Sequence, residues 1–359
     1  MIIKLDFSID LIEIPDLSNA PNLETVSLNG CESLCQLHPS IESLKTNIHS
    51  KSLGTLDITD CSSLMEFSVT SEEMWRLSLN GTAIHEFPSS IWGNRKLTYL
   101  DLCENFILKG MQYLQKLYLN KCCNLETIPD SIDGMPFLSV LCLIECGNLE
   151  TIPDNIQNSR LEFLDLDECR NLKSLQKLPV SLLHLIAVNC TYLDTESILK
   201  NMLDSIVAQY TCYIQFHLDQ ISFLPGAQVP HCFPYRTTEA SIDIPSIVKS
   251  NLSCFIVCII FSEGLYVTHD SSSIDCTVYE NKKLADQSFV RVHVGAHRIL
   301  ISDHVLLFIH SLDGLKWEEE EESESEGDYY NLSFEFKYSF GYQNYDDDSE
   351  DEDDDRIRW

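Results

Sequence analysis

The chain has 359 residues, enough for two domains with separate cores, and a formal net charge of −32 at pH 7. Much of the acid lies in two blocks, with eight acidic residues in Glu318–Asp328 and nine in Asp346–Asp355. This balance excludes nucleic acid as a partner, because phosphate binding requires a basic surface. Blocks of like charge repel one another, so both are expected to be solvated and disordered.

The N-terminus lacks the layout of a signal peptide, since Met1 leads directly into patterned sequence. The longest apolar run, Cys254–Phe261, is too short to span a bilayer. We therefore expect no membrane association and a location in the cytoplasm or the nucleus. The fifteen cysteines are then expected to be reduced.

An internal repeat dominates the first half of the chain. Nearly identical segments begin at Asn124 and Asn148 and read NLETIPDSI and NLETIPDNI. Around them runs the pattern L-x-x-L-x-L-x-x-C/N, mostly at a spacing of 21 to 24 residues. This pattern predicts an α/β leucine-rich-repeat solenoid with a curved parallel sheet over residues 1–193. Nine copies are expected, beginning at Ile2, Leu23, Leu53, Met74, Leu97, Leu114, Leu138, Leu161 and Leu182.

Each position of the repeat has a physical role. Positions four and six alternate along a short strand and point into a shared core. Position nine turns the chain, where an Asn or Cys side chain can bind backbone groups of the adjacent coil. Structural thiols are therefore favoured over metal ligands or disulfides. Six cysteines occupy this position: Cys31, Cys61, Cys122, Cys146, Cys169 and Cys190.

Two features concern the ends of the solenoid. Met1 falls inside a repeat, which would leave a solenoid end uncapped, so we expect the repeats to be truncated at their N-terminus. At the other end, Thr195 can cap an amphipathic helix within residues 194–211 that covers the open end of the core.

The outward positions three, five and seven predict a concave docking surface. Aromatic and arginine side chains on an exposed surface are enriched at binding hot spots, although any single one is more often an ordinary solvated residue. Solenoid proteins use their concave faces as extended binding surfaces. The candidate partner-binding residues are Arg76, Tyr99, Asp101, Lys116, Tyr118, Phe163, Asp165 and His184.

Beyond the helix, apolar residues recur at every second position, as they do in β-strands. This pattern predicts an all-β jelly-roll or Ig-like sandwich over residues 212–343, with an acidic insert at 318–328. Residues 344–359 are expected to form a disordered acidic tail. The predicted strands are Tyr213–Phe216, Ser241–Ile244, Cys254–Phe261, Ser273–Tyr279, Phe289–Val294, Val305–His310 and Tyr329–Tyr338.

A family resemblance rests on this second region. Leu224–Tyr235 and Ala240–Ile244 resemble the opening of the jelly-roll and Ig-like domain (C-JID) of plant TIR-type nucleotide-binding leucine-rich-repeat disease resistance proteins. Phe255–Phe261 and Ser302–Phe308 are similar to later strands of that domain, and the repeats resemble those of the same family. The closing element departs from the pattern at Ser339–Tyr342.

The resemblance implies a recognition module of plant innate immunity. Such a module would bind a pathogen effector, or a host protein, through the concave repeat face and the β-sandwich. This sequence shows no stretch that resembles the family's TIR or nucleotide-binding domains, and no G-x-x-x-x-G-K-[ST] loop occurs in it, so we expect this chain to bind no nucleotide and no cofactor. Signalling, and the oligomerisation expected of a full-length receptor, would require those domains.

The sequence contains no catalytic pattern. His293 and His297 are four residues apart without an H-E-x-x-H motif, and Asp303 and His304 would point to opposite faces of a strand. The chain is therefore predicted not to be an enzyme and to have no catalytic or metal site. An alternative function remains open, that of an adaptor or decoy whose acidic tail recruits a basic partner.

Overall fold

The computed structural model divides the chain into two compact units, Met1–Leu182 and Leu183–Trp359. The boundary precedes the last repeat strand, so the second unit begins inside the predicted solenoid, before its expected end at residue 193. The structure describes residues 1–15, 17, 20, 22–37, 53–67, 69, 71, 73–84, 91, 94–102, 111–128, 132, 135–175, 177–210, 221–248, 254–267, 272–291, 298–311, 329–340 and 357–358.

The first unit contains a sheet of three-residue strands that pair in parallel and in chain order. A 3₁₀ helix, Asp154–Asn158, lies in the return segment between the last two strands. The strands are β1 (Ile2–Lys4), β2 (Thr25–Ser27), β3 (Thr55–Asp57), β4 (Arg76–Ser78), β5 (Tyr99–Asp101), β6 (Lys116–Tyr118), β7 (Val140–Cys142) and β8 (Phe163–Asp165).

The core of this unit follows the predicted repeat. Position four supplies the central residue of each strand, and Leu77, Leu100 and Leu117 there are 0% exposed. In the described turns, position eight adopts a positive φ, as in Asp60 (57°) and Gly81 (73°), so these coils turn through a left-handed residue. The leucine-rich solenoid fold is therefore confirmed.

The thiols at position nine hydrogen-bond to backbone carbonyls of the preceding coil, as predicted. Five of these thiols are fully buried, so each supplies a hydrogen-bond donor where water cannot reach. The sulfur-to-oxygen distances are 3.1 Å for Cys31 to Leu5, 3.2 Å for Cys61 to Leu28, 3.7 Å for Cys122 to Leu102, 2.9 Å for Cys146 to Leu119 and 3.0 Å for Cys169 to Leu143.

The first repeat differs from the predicted register. Ile3 pairs with Val26, a position-four residue, so Leu5 occupies position six and not position four. Phe7 consequently falls at the turn, where it has a φ of 58° and is 73% exposed. A shift of two residues preserves the in–out alternation of a strand, which is why the sequence pattern fitted both registers.

The second unit begins with the last repeat strand and continues into a mixed sheet. Its strands are β9 (His184–Ile186), β10 (Ile221–Pro225), β11 (Ser241–Val248), β12 (Cys254–Phe261), β13 (Tyr266–Val267), β14 (Ser272–Glu280), β15 (Lys283–Arg291), β16 (Arg298–Ile299), β17 (His304–Ser311), β18 (Tyr329–Phe340) and β19 (Ile357–Arg358).

Two sheets and a short ladder result. The mixed sheet has the order β9-β10-β17-β12-β19, in which only β9 and β10 are parallel. A separate antiparallel sheet has the order β11-β18-β14-β15, and β13 pairs with β16. Aromatic side chains join the two sheets, since Phe255 of β12 meets Phe334 of β18 at 4.5 Å between ring centroids.

Helix α1 (Thr195–Tyr210) packs beside β10. Its buried residues include Ile198, Leu199 and Met202, and the Ser222 hydroxyl of β10 donates to Met202 Sδ at 3.7 Å. Asp194, and not Thr195, is the N-cap: its Oδ1 accepts a hydrogen bond from the Ser197 N–H at 3.3 Å. The helix therefore begins one residue earlier than a Thr195 cap would require.

The β region departs from the predicted strands at several points. Strand β10 was not predicted, because one proline-ended run of five residues carries little periodicity. The predicted Tyr213–Phe216 strand lies outside the described residues. Ile357–Arg358 forms β19 inside the segment predicted to be a disordered tail. The cause is local: these residues follow the acidic block and can pair with the edge of β12.

Candidate partner-binding face

The predicted binding residues of the first unit lie on one face of its parallel sheet, opposite the leucine core. We call this surface the open face and define it by positions three and five of each strand. Register places Arg76 beside Tyr99 and Asp101 beside Tyr118. All four residues are partly exposed, whereas Leu77 between the outward residues of β4 is completely buried. Period-two alternation accounts for the difference.

Three of these side chains form a stacked row across β4, β5 and β6. The guanidinium carbon of Arg76 lies 3.9 Å from the ring centroid of Tyr99. The rings of Tyr99 and Tyr118 are 4.8 Å apart between centroids, with planes tilted by 31°. Cation–π and aromatic contacts of this kind each contribute about 0.5–1 kcal/mol. The row is therefore held in place before any partner binds.

Both phenols of the row remain protonated at neutral pH. Burial raises the pKa of Tyr118 to about 12, and the nearby Cys142 and Tyr99 add to the effect. Burial also raises the pKa of Tyr99, although the positive charge of Arg76 opposes the change. Each ring thus presents an apolar surface with a neutral hydroxyl group, which suits a protein contact.

A second row of polar residues runs along position five of β3, β4 and β5. Asp57 pairs in register with Ser78, and Ser78 pairs with Asp101. Asp57 Oδ1 accepts hydrogen bonds from the Thr59 amide at 3.1 Å and the Thr59 hydroxyl at 2.7 Å. Burial raises the pKa of Asp101 to about 7, helped by the charge of Asp57 and opposed by Arg76. We call these three residues the Asp57–Ser78–Asp101 row.

The other predicted residues have different outcomes. Lys116 is exposed and Phe163 is partly exposed on the same face. Asp165 is only 3% exposed, and its Oδ1 accepts a hydrogen bond from the Asp167 amide at 3.0 Å, so it is not an open surface group. His184 is partly exposed in β9, which belongs to the second unit.

An exposed aromatic pair was missed by the sequence reasoning. Tyr113 and Phe137 stack with centroids 6.3 Å apart and planes 10° from parallel. They are 36% and 50% exposed, and Trp75 is also 50% exposed. Tyr113 and Phe137 each come directly before the first apolar residue of a repeat. This shared position in the repeat could have predicted from the sequence that the two side chains lie together. Large exposed aromatics mark binding surfaces more often than chance positions do.

The second unit contains a cavity of about 1090 Å³ between α1, β11, β12 and residues 226–237. Leu199, Phe255 and Phe334 contribute apolar walls. The Arg236 side chain holds the surrounding loop by donating to the Phe233 carbonyl at 3.1 Å and the Pro230 carbonyl at 2.7 Å. The loop that resembles the C-JID opening thus forms one wall of an apolar concavity.

Within the described segments, no group of three His, Cys, Asp or Glu side chains is arranged to hold a metal ion. No helix in the part of the chain that the structure describes has both the length and the apolar character needed to cross a bilayer.

The parallel strands, the leucine core and the turn thiols define a leucine-rich-repeat protein. No family model matches the sequence. Relatives occur among disease resistance proteins of Arabidopsis thaliana. The chain is 32% identical to the probable disease resistance protein RPP1 over 206 residues, which is 54% of this chain and 15% of that protein.

Two further relatives carry similar names. Disease resistance protein RML1A of Arabidopsis thaliana is 35% identical over 150 residues, covering 36% of this chain and 15% of the relative. RPS4B, also a disease resistance protein of that plant, is 31% identical over 135 residues, covering 36% of this chain and 11% of the relative. The aligned part is therefore between 11% and 15% of the length of these relatives.

Among solved structures, the leucine-rich repeat domain of the type III effector XCV3220 (XopL) has 22% sequence identity and a TM-score of 0.35, covering 54% of this chain and 70% of that one. The homologues of this chain are plant disease resistance proteins, as the resemblance implied, and they support a role in plant immunity. The similarity to C-JID remains a prediction.

Proposed function

We propose that the chain is a recognition module that binds another protein through the open face of its repeats. The observation that carries this proposal is the stacked row of Arg76, Tyr99 and Tyr118. Hot spots of protein interfaces are enriched in these residue types, and they bind most strongly when they are preorganised. Here the three side chains are partly exposed yet already fixed against one another.

The partner we propose is a pathogen effector protein, recognised in a plant cell. Similarity to disease resistance proteins supports this choice over other protein ligands. The chain spans only a small part of those relatives, so signalling is assigned to other parts of such receptors. In such a receptor, binding of the partner would shift the equilibrium between its conformations. The chain itself is proposed to act by binding and not by catalysis.

We further propose that the second unit is a C-JID-like β-sandwich that contributes a second contact. Support comes from its two sheets, which meet through Phe255 and Phe334. The cavity beside residues 226–237 supplies an apolar surface that a protruding partner side chain could fill. The last repeat strand belongs to the same compact unit, so this contact would lie next to repeat-derived residues.

The test is a binding measurement with effectors selected by two-hybrid screening against the full chain. Tyr118→Ala combined with Phe163→Ala should weaken binding at least ~30-fold, about 2 kcal/mol, with nearly unchanged melting temperature. The matched control is Glu126→Ala, since Glu126 is exposed and lies outside the open face. Equal losses in the control and the double variant would refute the face assignment.

A different pattern would support the alternative function. Binding that depends on the acidic segments, is insensitive to Tyr118 and Phe163, and vanishes at high salt would identify an electrostatic adaptor. Binding that survives the open-face changes but is lost on Phe334→Asp, in a chain that still folds, would move recognition to the second unit.

A further inference from the structure

We propose that the Asp57–Ser78–Asp101 row is a receptor site for one guanidinium group, which the protein partner supplies as an arginine side chain. This inference rests on the proposed function, and it names the chemistry that the partner must present at that face.

The spacing of the row suits a planar cation. Its members occupy the same position in three adjacent strands, with Ser78 between the two carboxylates. Neighbouring strands are about 4.8 Å apart, so the backbones of Asp57 and Asp101 are separated by about 10 Å. A guanidinium group carries five N–H donors in one plane and can bind a carboxylate on each side. Ser78 would form the floor between them.

Two buried oxygen atoms of the row have no hydrogen-bond partner in the part of the chain that the structure describes. Ser78 is 2% exposed, and its Oγ has no hydrogen-bond partner within the described residues. Asp101 Oδ1 is also buried without a partner among those residues. A buried polar atom left unsatisfied costs about 1–3 kcal/mol, and more when it is charged. Both oxygens can accept a hydrogen bond, so a donor supplied by a partner would satisfy them.

The charges near Asp101 favour a cation. Burial and the carboxylates of Asp57 and Asp60 raise the pKa of Asp101 to about 7, against the effect of Arg76. The Arg76 guanidinium is stacked on Tyr99 and makes no ion pair in the described part of the chain. The neighbouring Tyr118 and Cys142 are neutral, because burial raises the pKa of both, and the exposed Lys116 lies at position three of the adjacent strand β6.

The site is also reachable. Asp57 and Asp101 are both partly exposed, so a side chain approaching the open face can meet each carboxylate. The stacked row of Arg76, Tyr99 and Tyr118 lies on the same strands and offers an apolar border. Carboxylates beside aromatic rings bind a guanidinium more strongly than isolated surface carboxylates do, because the rings exclude water and so reduce the screening of charge.

The experiment uses the full chain and a labelled peptide, Gly-Gly-Arg-Gly-Gly, titrated by calorimetry at pH 8. Comparison peptides contain citrulline, which keeps the shape without the charge, or lysine. We expect arginine to bind at least ~10-fold more tightly than citrulline and more tightly than lysine. Asp57→Asn with Asp101→Asn should reduce arginine binding at least ~10-fold, and Ser78→Ala should also weaken it.

The control variant is Glu126→Gln, which removes one exposed carboxylate away from the row and should leave binding unchanged within about twofold. Lowering the pH to 6 should weaken arginine binding in the natural chain but not in Asp101→Asn. Unfolding midpoints of all variants confirm that they remain folded.

Several results would overturn the site. These are equal binding of arginine and citrulline, equal binding of arginine and lysine, or unchanged affinity in the double aspartate variant. The proposed function is tested separately by the aromatic variants. If Tyr118→Ala and Phe163→Ala abolish effector binding while the aspartate variants have no effect on peptide binding, the open face is confirmed and the guanidinium site is refuted.

Discussion

The backbone N–H of Asn189 donates a hydrogen bond to Nε2 of His304 across 2.9 Å. Nδ1 of the same imidazole lies 2.7 Å from the Ser302 carbonyl, so it carries the proton and the ring is neutral. The Asn189 side chain also donates to the Ile299 carbonyl at 3.1 Å and accepts from the Ile301 amide at 3.0 Å. The turn after the last repeat strand is thereby fastened to residues 299–304 of the same unit.

Because of this contact, we expect His304→Ala to lower the stability of the folded chain substantially. The ring is 0% exposed, so its removal leaves a cavity and an unsatisfied Asn189 amide. We expect a loss of about 2–4 kcal/mol in the free energy of unfolding, measured with urea. His231→Ala is the control, since His231 is exposed and should change stability by less than ~0.5 kcal/mol. Equal effects of the two substitutions would show that the buried contact is unimportant.

Asp101→Asn is expected to stabilise the protein at pH 8. Burial, with the charge of Asp57, raises the pKa of Asp101 from 3.8 to about 7 in the folded chain. Ionisation therefore opposes folding, and this penalty grows as the pH rises from about 4 to 7 and is constant above that range. A change of one unit in the pKa corresponds to 1.36 kcal/mol of free energy. The raised pKa of Asp101 therefore destabilises the folded chain by at most ~4 kcal/mol. Solvent screening of the partly exposed group reduces the expected gain to ~1–2 kcal/mol.

The sign can be checked by thermal unfolding at two pH values. Asp101→Asn should unfold at a higher temperature than the natural chain at pH 8, and the difference should shrink at pH 4. The exposed Asp10, which does not contribute to the raised pKa of Asp101, offers an Asp10→Asn control. A melting temperature lowered at pH 8 by Asp101→Asn would contradict the assigned surroundings of this carboxyl group.

The buried repeat thiols should resist alkylation in the native protein. Burial raises the pKa of Cys61 to about 12, and its Sγ donates to the Leu28 carbonyl at 3.2 Å. Thiolate is the reactive form, so Cys61 should react with iodoacetamide at pH 8 only after unfolding. Cys123 is exposed and should react first. Peptide mapping by mass spectrometry distinguishes the two, and rapid labelling of Cys61 would exclude the buried thiol.

Gly81→Ala should destabilise the first unit. Gly81 has a φ of 73°, and an added Cβ would lie 2.2 Å from Asp60 Oδ1 in the adjacent turn. We expect a cost of about 2 kcal/mol from backbone strain and the close contact. Gly147→Ala is a matched control in another repeat turn, because nothing lies within 4 Å of its added Cβ. Urea unfolding should show a change below ~0.5 kcal/mol for the control, and equal losses would refute the steric reason.

At the outward strand positions, the exposure predicted from the sequence agrees with the structure for some residues and differs for others. Alternation alone predicts that Arg76, Tyr99 and Tyr118 share a face, and the structure agrees. Alternation also placed Asp165 on the surface, but its carboxylate turns back to the Asp167 amide and is buried. Whether an aspartate on this face is exposed or buried depends on the residues packed around it. The alternation of side chains along a strand carries no information about that packing.

The sequence by itself determined the repeat, the leucine core and the role of the turn thiols, because each follows from the spacing of neighbours along the chain. Only the tertiary structure decided the register of the first strand, the burial of the Ser78 hydroxyl, the raised pKa of Asp101 and the contact between Asn189 and His304. These depend on groups that are distant in sequence, 115 residues apart in the last case. Hydrogen bonding and desolvation act over a few ångströms in space, so they become defined only when the strands are placed side by side.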